Sequence, residues 1–354
     1  MQFKGAFFLE RCLAQKTPFL GCMRPNSTQV EWYTLDKLTV DQAQLTLNKG
    51  SEVFVVQPYD RAQSAIHFSL TPINDTAIDR LDDAELEYSA AEYVISANQA
   101  EAYERMLQKA IAHINEGELD KVVLSLRLAL ANPSEADLNI RNLFTPDAKD
   151  SFRYIFSLNE GVVWVGDTPE TLLTRNHSRI QTVALAGTRR LDDVKYDDFT
   201  SKEFEEQGFI VAELKQRLAP FVERVQLSDR QRVSAQNLVH LKTTLEGTLI
   251  KDFSDEELLG ALHPTAAVCG FPREKALALI SILEGHDREL YTGYMGFRSA
   301  SKSTYFVNLR CARIDQSALE LFVGAGITAQ SISKNEIDEI QSKTATIMRL
   351  IAFK

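Results

Sequence analysis

The chain has 354 residues, 44% hydrophobic and 25% charged, a balance that allows a large buried core and excludes a disordered or low-complexity protein. Its 49 Asp and Glu against 39 Lys and Arg leave a net charge of −10, which repels nucleic acid and anionic lipid and excludes both as expected partners. An anionic small molecule would therefore need a locally basic pocket inside an acidic envelope. The four cysteines, Cys12, Cys22, Cys269 and Cys311, form neither a CxxC pair nor a zinc-like spacing, so reduced thiols and a cytoplasmic location are expected. The first residues, MQFKGAFFLERCLAQK, are interrupted by Glu10 and Arg11 and do not read as a signal peptide, and no run approaches the ~20 apolar residues of a membrane span.

Residues 1–95 read as a sheet-rich first part of a single large domain, with a strand at 51–56 (SEVFVV) and a loop at 72–83 (PINDTAIDRLDD). From Ser96 the pattern sharpens into the catalytic region, 96–354. Tyr103, Met106, Leu107, Ala110, Ile111 and Ile114 fall at helical spacing, with Ser96 as N-cap and Gly117 as stop. Strands are expected at 121–130, 152–158, 161–166 and 179–188, all rich in β-branched and aromatic residues. Long helices are expected at 201–219 and 333–352, with further strands at 238–249, 291–297, 303–315 and 318–326 between them. Turns, not helices, separate most strands, which predicts an antiparallel α+β fold of two packed sheets flanked by helices.

One pattern occurs twice, as Thr200-Ser-Lys-Glu203-Phe-Glu-Glu206 and as Ser333-Lys-Asn-Glu336-Ile-Asp-Glu339. A capping box explains Glu203 and Glu336. It leaves Glu206 and Glu339, each on the helix face of its partner, free to form a hard-oxygen Mg²⁺ site, although acidic first turns also arise from the helix dipole alone. Lys343 fits an i,i+4 salt bridge to Glu339. Lys121 opens an apolar strand, as an edge residue or as a buried amine able to act as a base. Glu170, in GDTPET, is a solvated turn carboxylate or, in an apolar pocket, a proton donor. Arg310 within FVNLRCARI calls for an anionic partner, Gly324-Ala-Gly326 lets backbone approach a carboxylate, and His240 fits a hydrogen-bonded core histidine. No HExxH, G-x-S-x-G, Walker or Rossmann motif occurs.

Taken in order, KVVLS (121–125), TPE (168–170), LAGT (185–188), SKEFEE (201–206), HPTAAVCGFP (263–272), ELYTGYMGF (289–297), NLR (308–310), and GAGIT with EIDEIQSK (324–343) resemble the chorismate-utilising enzymes over about residues 97–354. That family includes isochorismate, salicylate and anthranilate synthases. The resemblance implies chorismate as substrate and Mg²⁺ as cofactor, with no obligate protein partner. It implies Lys121 as the base that activates water and Glu170 as the acid that protonates the departing hydroxyl. Glu206 and Glu339 would be the principal metal ligands, with Glu203 and Glu336 behind them through water. Tyr291, Arg310, Lys343 and the amides of Gly324 and Ala325 match positions that hold the substrate's carboxylates, while Gly187, Thr188 and His240 match the pocket lining. Lys121, Ala186 and Ala267 resemble the isochorismate synthases more than the ammonia-using, covalent or pyruvate-eliminating relatives, and the product would feed menaquinone, siderophore or salicylate synthesis. A salicylate synthase is the nearest alternative, and an inactive chorismate-binding subunit a more distant one. Three departures stand out: Leu126 replaces the family's usual arginine with Arg127 displaced by one, TPE replaces SPE, and the N-terminal third is less recognisable.

Overall fold

The computed structural model describes residues 12, 15–73, 93–130, 136–138, 143–144, 150–158, 161–190, 199–235, 238–315, 317–349 and 351–353. Four strands come first, β1 (Phe19–Met23), β2 (Glu31–Leu38), β3 (Val53–Gln57) and β4 (Ile66–Pro72), with helix α1 (Val40–Asn48) between the second and third. After helix α2 (Ala97–Asn115) follow β5 (Lys121–Leu130), β6 (Ala136–Leu138), β7 (Phe152–Ser157), β8 (Val163–Thr168), β9 (Thr171–Asn176) and β10 (Arg179–Arg190). Helix α3 (Ser201–Leu218) leads into β11 (Gln226–Leu227), β12 (Gln231–Ala235) and β13 (Leu238–Thr248). Helices α4 (Asp255–Leu262) and α5 (Arg273–Leu283) flank β14 (Gly270–Phe271). The remainder is β15 (Tyr294–Arg298), β16 (Lys302–Val307), β17 (Cys311–Ile314), β18 (Leu319–Thr328), helix α6 (Ser333–Met348) and β19 (Ile351–Phe353).

Among the described residues, seventeen strands form one hydrogen-bonded network, and the pairings are antiparallel. The order runs β14-β5-β18-β17-β8-β7-β1-β2-β4-β3-β15-β16-β9-β10-β13, with β11 and β12 both on β13. The N-terminal strands thus sit in the middle of the order, joining the half that holds β5 to the half that holds β10.

Side-chain alternation shows how this network folds back on itself. On β7, Phe152, Tyr154 and Phe156 share a core with Phe54 of β3, Phe297 of β15, Phe306 of β16 and Phe322 of β18. The intervening Ile155 joins a second core under α2, α5 and α6. On the other half, Val53, Tyr305 and Ile180 join a third core under α1, α3 and α4. Successive residues of a strand point to opposite faces, so these memberships define two limbs with an aromatic layer between them and helices outside both. The two packed sheets expected from the sequence are these limbs.

Helix α2 begins at N-cap Ser96, whose hydroxyl and Gln99 form a capping box, and it stops at Glu116 before Gly117, at φ +76°. Three boundaries differ from expectation. The last helix ends at Met348 because the following residues exchange helical bonds for a ladder between β19 and β6. The run 303–315 is two strands broken at Asn308–Arg310, with Arg310 at φ +48°, so Arg310 lies in a bend and not within a strand. The strand expected from 291 starts at Tyr294, leaving Tyr291 in the preceding turn. The loop expected at 72–83 lies, beyond Ile73, outside the described residues, and Pro72 ends β4.

Phe152 stacks on Phe306 with ring centroids 4.5 Å apart and planes 7° from parallel, fully buried between the limbs. Phe152→Ala should therefore cost about 3–5 kcal/mol in urea unfolding. A loss below about 1 kcal/mol would mean that the limbs collapse onto the gap without penalty.

Candidate active site

A cavity, open at its mouth, lies where β5 and β18 of one limb approach β10 and β13 of the other, closed by α3 and α6. Glu170, Glu206, His240, Tyr291, Arg310, Gly324, Glu339 and Lys343 line it. So do Ala186 and Ala267, the two alanines singled out in the sequence.

Lys121 lies directly behind this wall. The first residue of β5 is capped by β14, whose Phe271 pairs with it, and by Thr328 of β18 on the other side. A lysine that would reach water at a sheet edge is thereby enclosed, with no exposed surface. Its Nζ meets Glu206 Oε1 from α3 at 2.9 Å. The pair crosses the face of Gly326, where any Cβ would collide with the Glu206 carboxylate and the lysine Cε, so the close approach requires glycine there.

Glu170 follows β8 and is buried, its backbone carbonyl accepting from Val307 N at 3.0 Å. Burial pushes its carboxyl up to about 7, while the positive charges of Lys121, Lys343 and Arg310 pull the other way. It is not the solvated turn carboxylate that its GDTPET context allows. At neutral pH it is poised to hold or release a proton.

Positive groups gather in the same cavity. Lys343 reaches Glu339 Oε1 at 2.7 Å, the expected i,i+4 bridge, and also donates to Gly324 O at 2.8 Å. Arg310 Nη2 donates to His240 Nε2 at 2.9 Å, and burial, then Arg310 and Lys343, hold the histidine well below its usual range. His240 is therefore a neutral acceptor that aims the guanidinium. Tyr291 stacks on Phe322 with centroids 5.6 Å apart, and burial pushes its phenol above the ordinary range. A side chain at Gly324 would meet its hydroxyl.

Of the remaining candidates, Gly187, Ala325, Glu203 and Glu336 lie off the cavity wall. Gly187 has φ +69° at a register shift between β10 and β13. The Thr188 side chain lies outside the described residues, and Ala325 packs into the core beneath α2 and α6. Glu203 performs its capping role, accepting from Thr200 N at 2.7 Å and Thr200 Oγ1 at 2.5 Å. No such box forms at Ser333, because Ile332 is the N-cap of α6, whose carbonyl takes the amides of Asn335 and Glu336; Glu336 is buried. Arg127 shares a strand face with Lys121 and Val123 but lies beyond the cavity, bridging Glu289 at 3.2 Å and Glu320 at 2.6 Å. Sequence reasoning missed the apolar lining from Leu185, Val268, Leu309 and Ile347.

Glu206 and Glu339 present oxygen donors to one cavity, a donor set that suits Mg²⁺ in kind. Each is balanced by a lysine. Among the described residues, the His, Cys, Asp and Glu ligand atoms gathered within 4.8 Å of one another are those of His113, Glu116 and Glu118 at the surface, so the four glutamates are not drawn together that tightly.

The sequence profile of the chorismate binding enzymes matches residues 16–352. The chain belongs to this family. The match takes in the N-terminal strands, where the motifs alone gave no resemblance. An isochorismate synthase from Haemophilus influenzae is 29% identical over 257 residues, which is 70% of this chain and 59% of that protein. A vibriobactin-specific isochorismate synthase from Vibrio cholerae is 30% identical over 272 residues, 72% of this chain and 68% of that one. Among solved structures, a Bacillus anthracis protein described as a 2,3-dihydroxybenzoate-specific isochorismate synthase superposes with a TM-score of 0.75, covering 96% of this chain and 98% of its own at 23% identity. In this chorismate binding enzyme all four cysteines are buried and free, and among the described residues no helix is long and apolar enough to cross a membrane.

The raised carboxyl of Glu170 has a measurable consequence. Its folded value of about 7 stands above the ordinary 4.5, so its contribution to stability is full at acid pH and is lost as pH rises through 7. Glu170→Gln should be more stable than the parent by up to about 3 kcal/mol near pH 8, with the gain vanishing towards about pH 4.5. Urea unfolding at the two ends of this range is the test; a pH-independent difference would show an ordinary, solvated carboxylate.

Proposed function

We propose that the chain is an isochorismate synthase, which isomerises chorismate by adding water at C2 as the C4 hydroxyl departs. The observation that carries this reading is a buried lysine and a glutamate with a raised carboxyl at one cavity that Arg310 and Lys343 also line. Chorismate is a dicarboxylate, and two cations with a neutral histidine behind one of them suit its two anionic groups. The named relatives add independent support.

In this reading Lys121 takes a proton from water as the oxygen forms its bond to C2. The ring double bonds shift, the C4–O bond breaks, and Glu170 gives its proton to the departing oxygen, so water enters and leaves and the change is an isomerisation. Hydroxide leaves poorly, and a carboxyl held partly protonated near neutrality supplies the proton it needs. A lysine accepts a proton only when neutral, so the ammonium paired with Glu206 is the resting arrangement and not the reacting one. Arg310, Tyr291, Lys343 and the Gly324 and Ala325 backbone would hold the carboxylates, with Gly187, Thr188 and His240 shaping the pocket around them. Mg²⁺ would be held by Glu206 and Glu339, with Glu203 and Glu336 behind them through water; when bound it neutralises a substrate carboxylate and fixes its position.

Incubation with chorismate and Mg²⁺, with an EDTA control and products resolved by chromatography and mass detection, should give isochorismate without pyruvate, only when Mg²⁺ is present. Salicylate with pyruvate would move the protein to the pyruvate-eliminating branch, and unchanged chorismate would leave a binding role. Lys121→Ala should lose at least about a thousandfold in turnover while remaining folded, and near-parental activity would remove the proposed base.

A further inference from the structure

The segment between α5 and β15 holds two residues spaced as an ordinary helical salt bridge, Glu284 and Arg288, yet both side chains are almost wholly buried. Arginine carries five N–H donors in a fixed fork, and here all five are used. Nε and one Nη2 hydrogen go to Glu284, at 2.8 and 2.6 Å. The second Nη2 hydrogen goes to Val123 O at 2.8 Å, and Nη1 divides between Val268 O at 2.8 Å and Thr292 Oγ1 at 3.2 Å. Glu284 Oε1 in turn accepts the amide of Ser125 at 2.7 Å. Val123, Val268 and Thr292 all line the active-site cavity, and they come from three separate segments.

Thr292 is the unusual member of this set. It has φ +58°, a left-handed conformation that a β-branched residue adopts at a cost, and it is fully buried. The cost is met by contacts on every polar atom. Its amide donates to Asn308 O at 2.8 Å, its carbonyl accepts from His263 Nε2 at 2.8 Å, and its hydroxyl accepts from Arg288 while donating to Tyr291 O at 2.6 Å. Arg288, Thr292 and Tyr291 thus form a relay ending on the backbone of a residue whose ring lines the cavity.

We propose that Arg288 is a positioning residue: through the Thr292 hydroxyl it fixes Tyr291 against Gly324, and through Val123 and Val268 it ties the neighbouring walls to the same point. The proposal rests on the cavity's being the chorismate site. Its consequence is that the hydroxyl at 292 matters more than the β-branched shape. Thr292→Val, which keeps the shape, should lose about 30-fold or more in kcat/KM, the scale expected when a binding group shifts by a fraction of an ångström to one ångström. Thr292→Ser, which keeps only the hydroxyl, should stay within about threefold of the parent. A role in packing alone would reverse that order and overturn the proposal, as would parental turnover in the Val variant. The paired variant Glu284→Leu/Arg288→Met removes both buried charges together, which folds where a single removal strands one of them. It too should lose kcat/KM while remaining folded, at a Tm lowered by the Ser125, Val123 and Val268 backbone groups left without these partners, and parental turnover in it would overturn the proposal. Amide exchange across residues 290–293, measured without ligand, separates this inference from the chorismate reading. Faster exchange in Thr292→Val than in Thr292→Ser supports the relay even if the parent leaves chorismate unchanged, and equal exchange in the two variants overturns it.

Discussion

A lysine with no exposed surface must be paired, and Glu206 supplies the partner for Lys121 across the face of Gly326. That single contact fixes much else. It brings Glu206 of α3 to the end of β18, it leaves no room for a side chain at 326 unless the Glu206 carboxylate moves, and it needs β14 to cover what would otherwise be an open sheet edge. Glu206 is partly solvated while Lys121 is not, so the electrostatic burden falls mainly on the lysine. The same arrangement brings the lysine up to the wall of the cavity that Arg310 and Lys343 line.

The curled sheet is what makes such a contact possible. Strands β5 and β10 are far apart in the hydrogen-bonded order, yet the aromatic layer of Phe54, Phe152, Phe297 and Phe306 folds the network until both face one cavity. The fold alone does not decide the chemistry performed there. Two alanines in the lining, Ala186 and Ala267, present no polar or nucleophilic group to the cavity.

Much of this was legible in the sequence, for reasons that differ by element. Strand β5 is legible to the residue because a ten-residue run with seven apolar positions begins sharply after Asp120, and α2 because its cap, period and stop agree. Helices α4 and α5 were missed, although Ser254 and Glu257 carry a capping box that would have marked the first. The bend at Asn308–Arg310 is hidden in a strand-like run, STYFVNLRCARID, where Asn308 is only a weak turn signal and a left-handed arginine leaves no compositional trace. Burial of Lys121 depends on β14 and β18 arriving from distant segments, and the Glu284–Arg288 spacing looks identical whether the pair faces water or the core. Glu203 and Glu336 show the reverse case, where one repeated motif performs two different structural roles.

The dependence of Lys121 on Glu206 is most directly tested by a double-mutant cycle in urea unfolding. Glu206→Gln alone strands a buried ammonium and should cost about 3 kcal/mol, whereas the same change in a Lys121→Met background should cost close to nothing. An equal cost in both backgrounds would contradict the account, because the carboxylate would then be serving something other than the lysine.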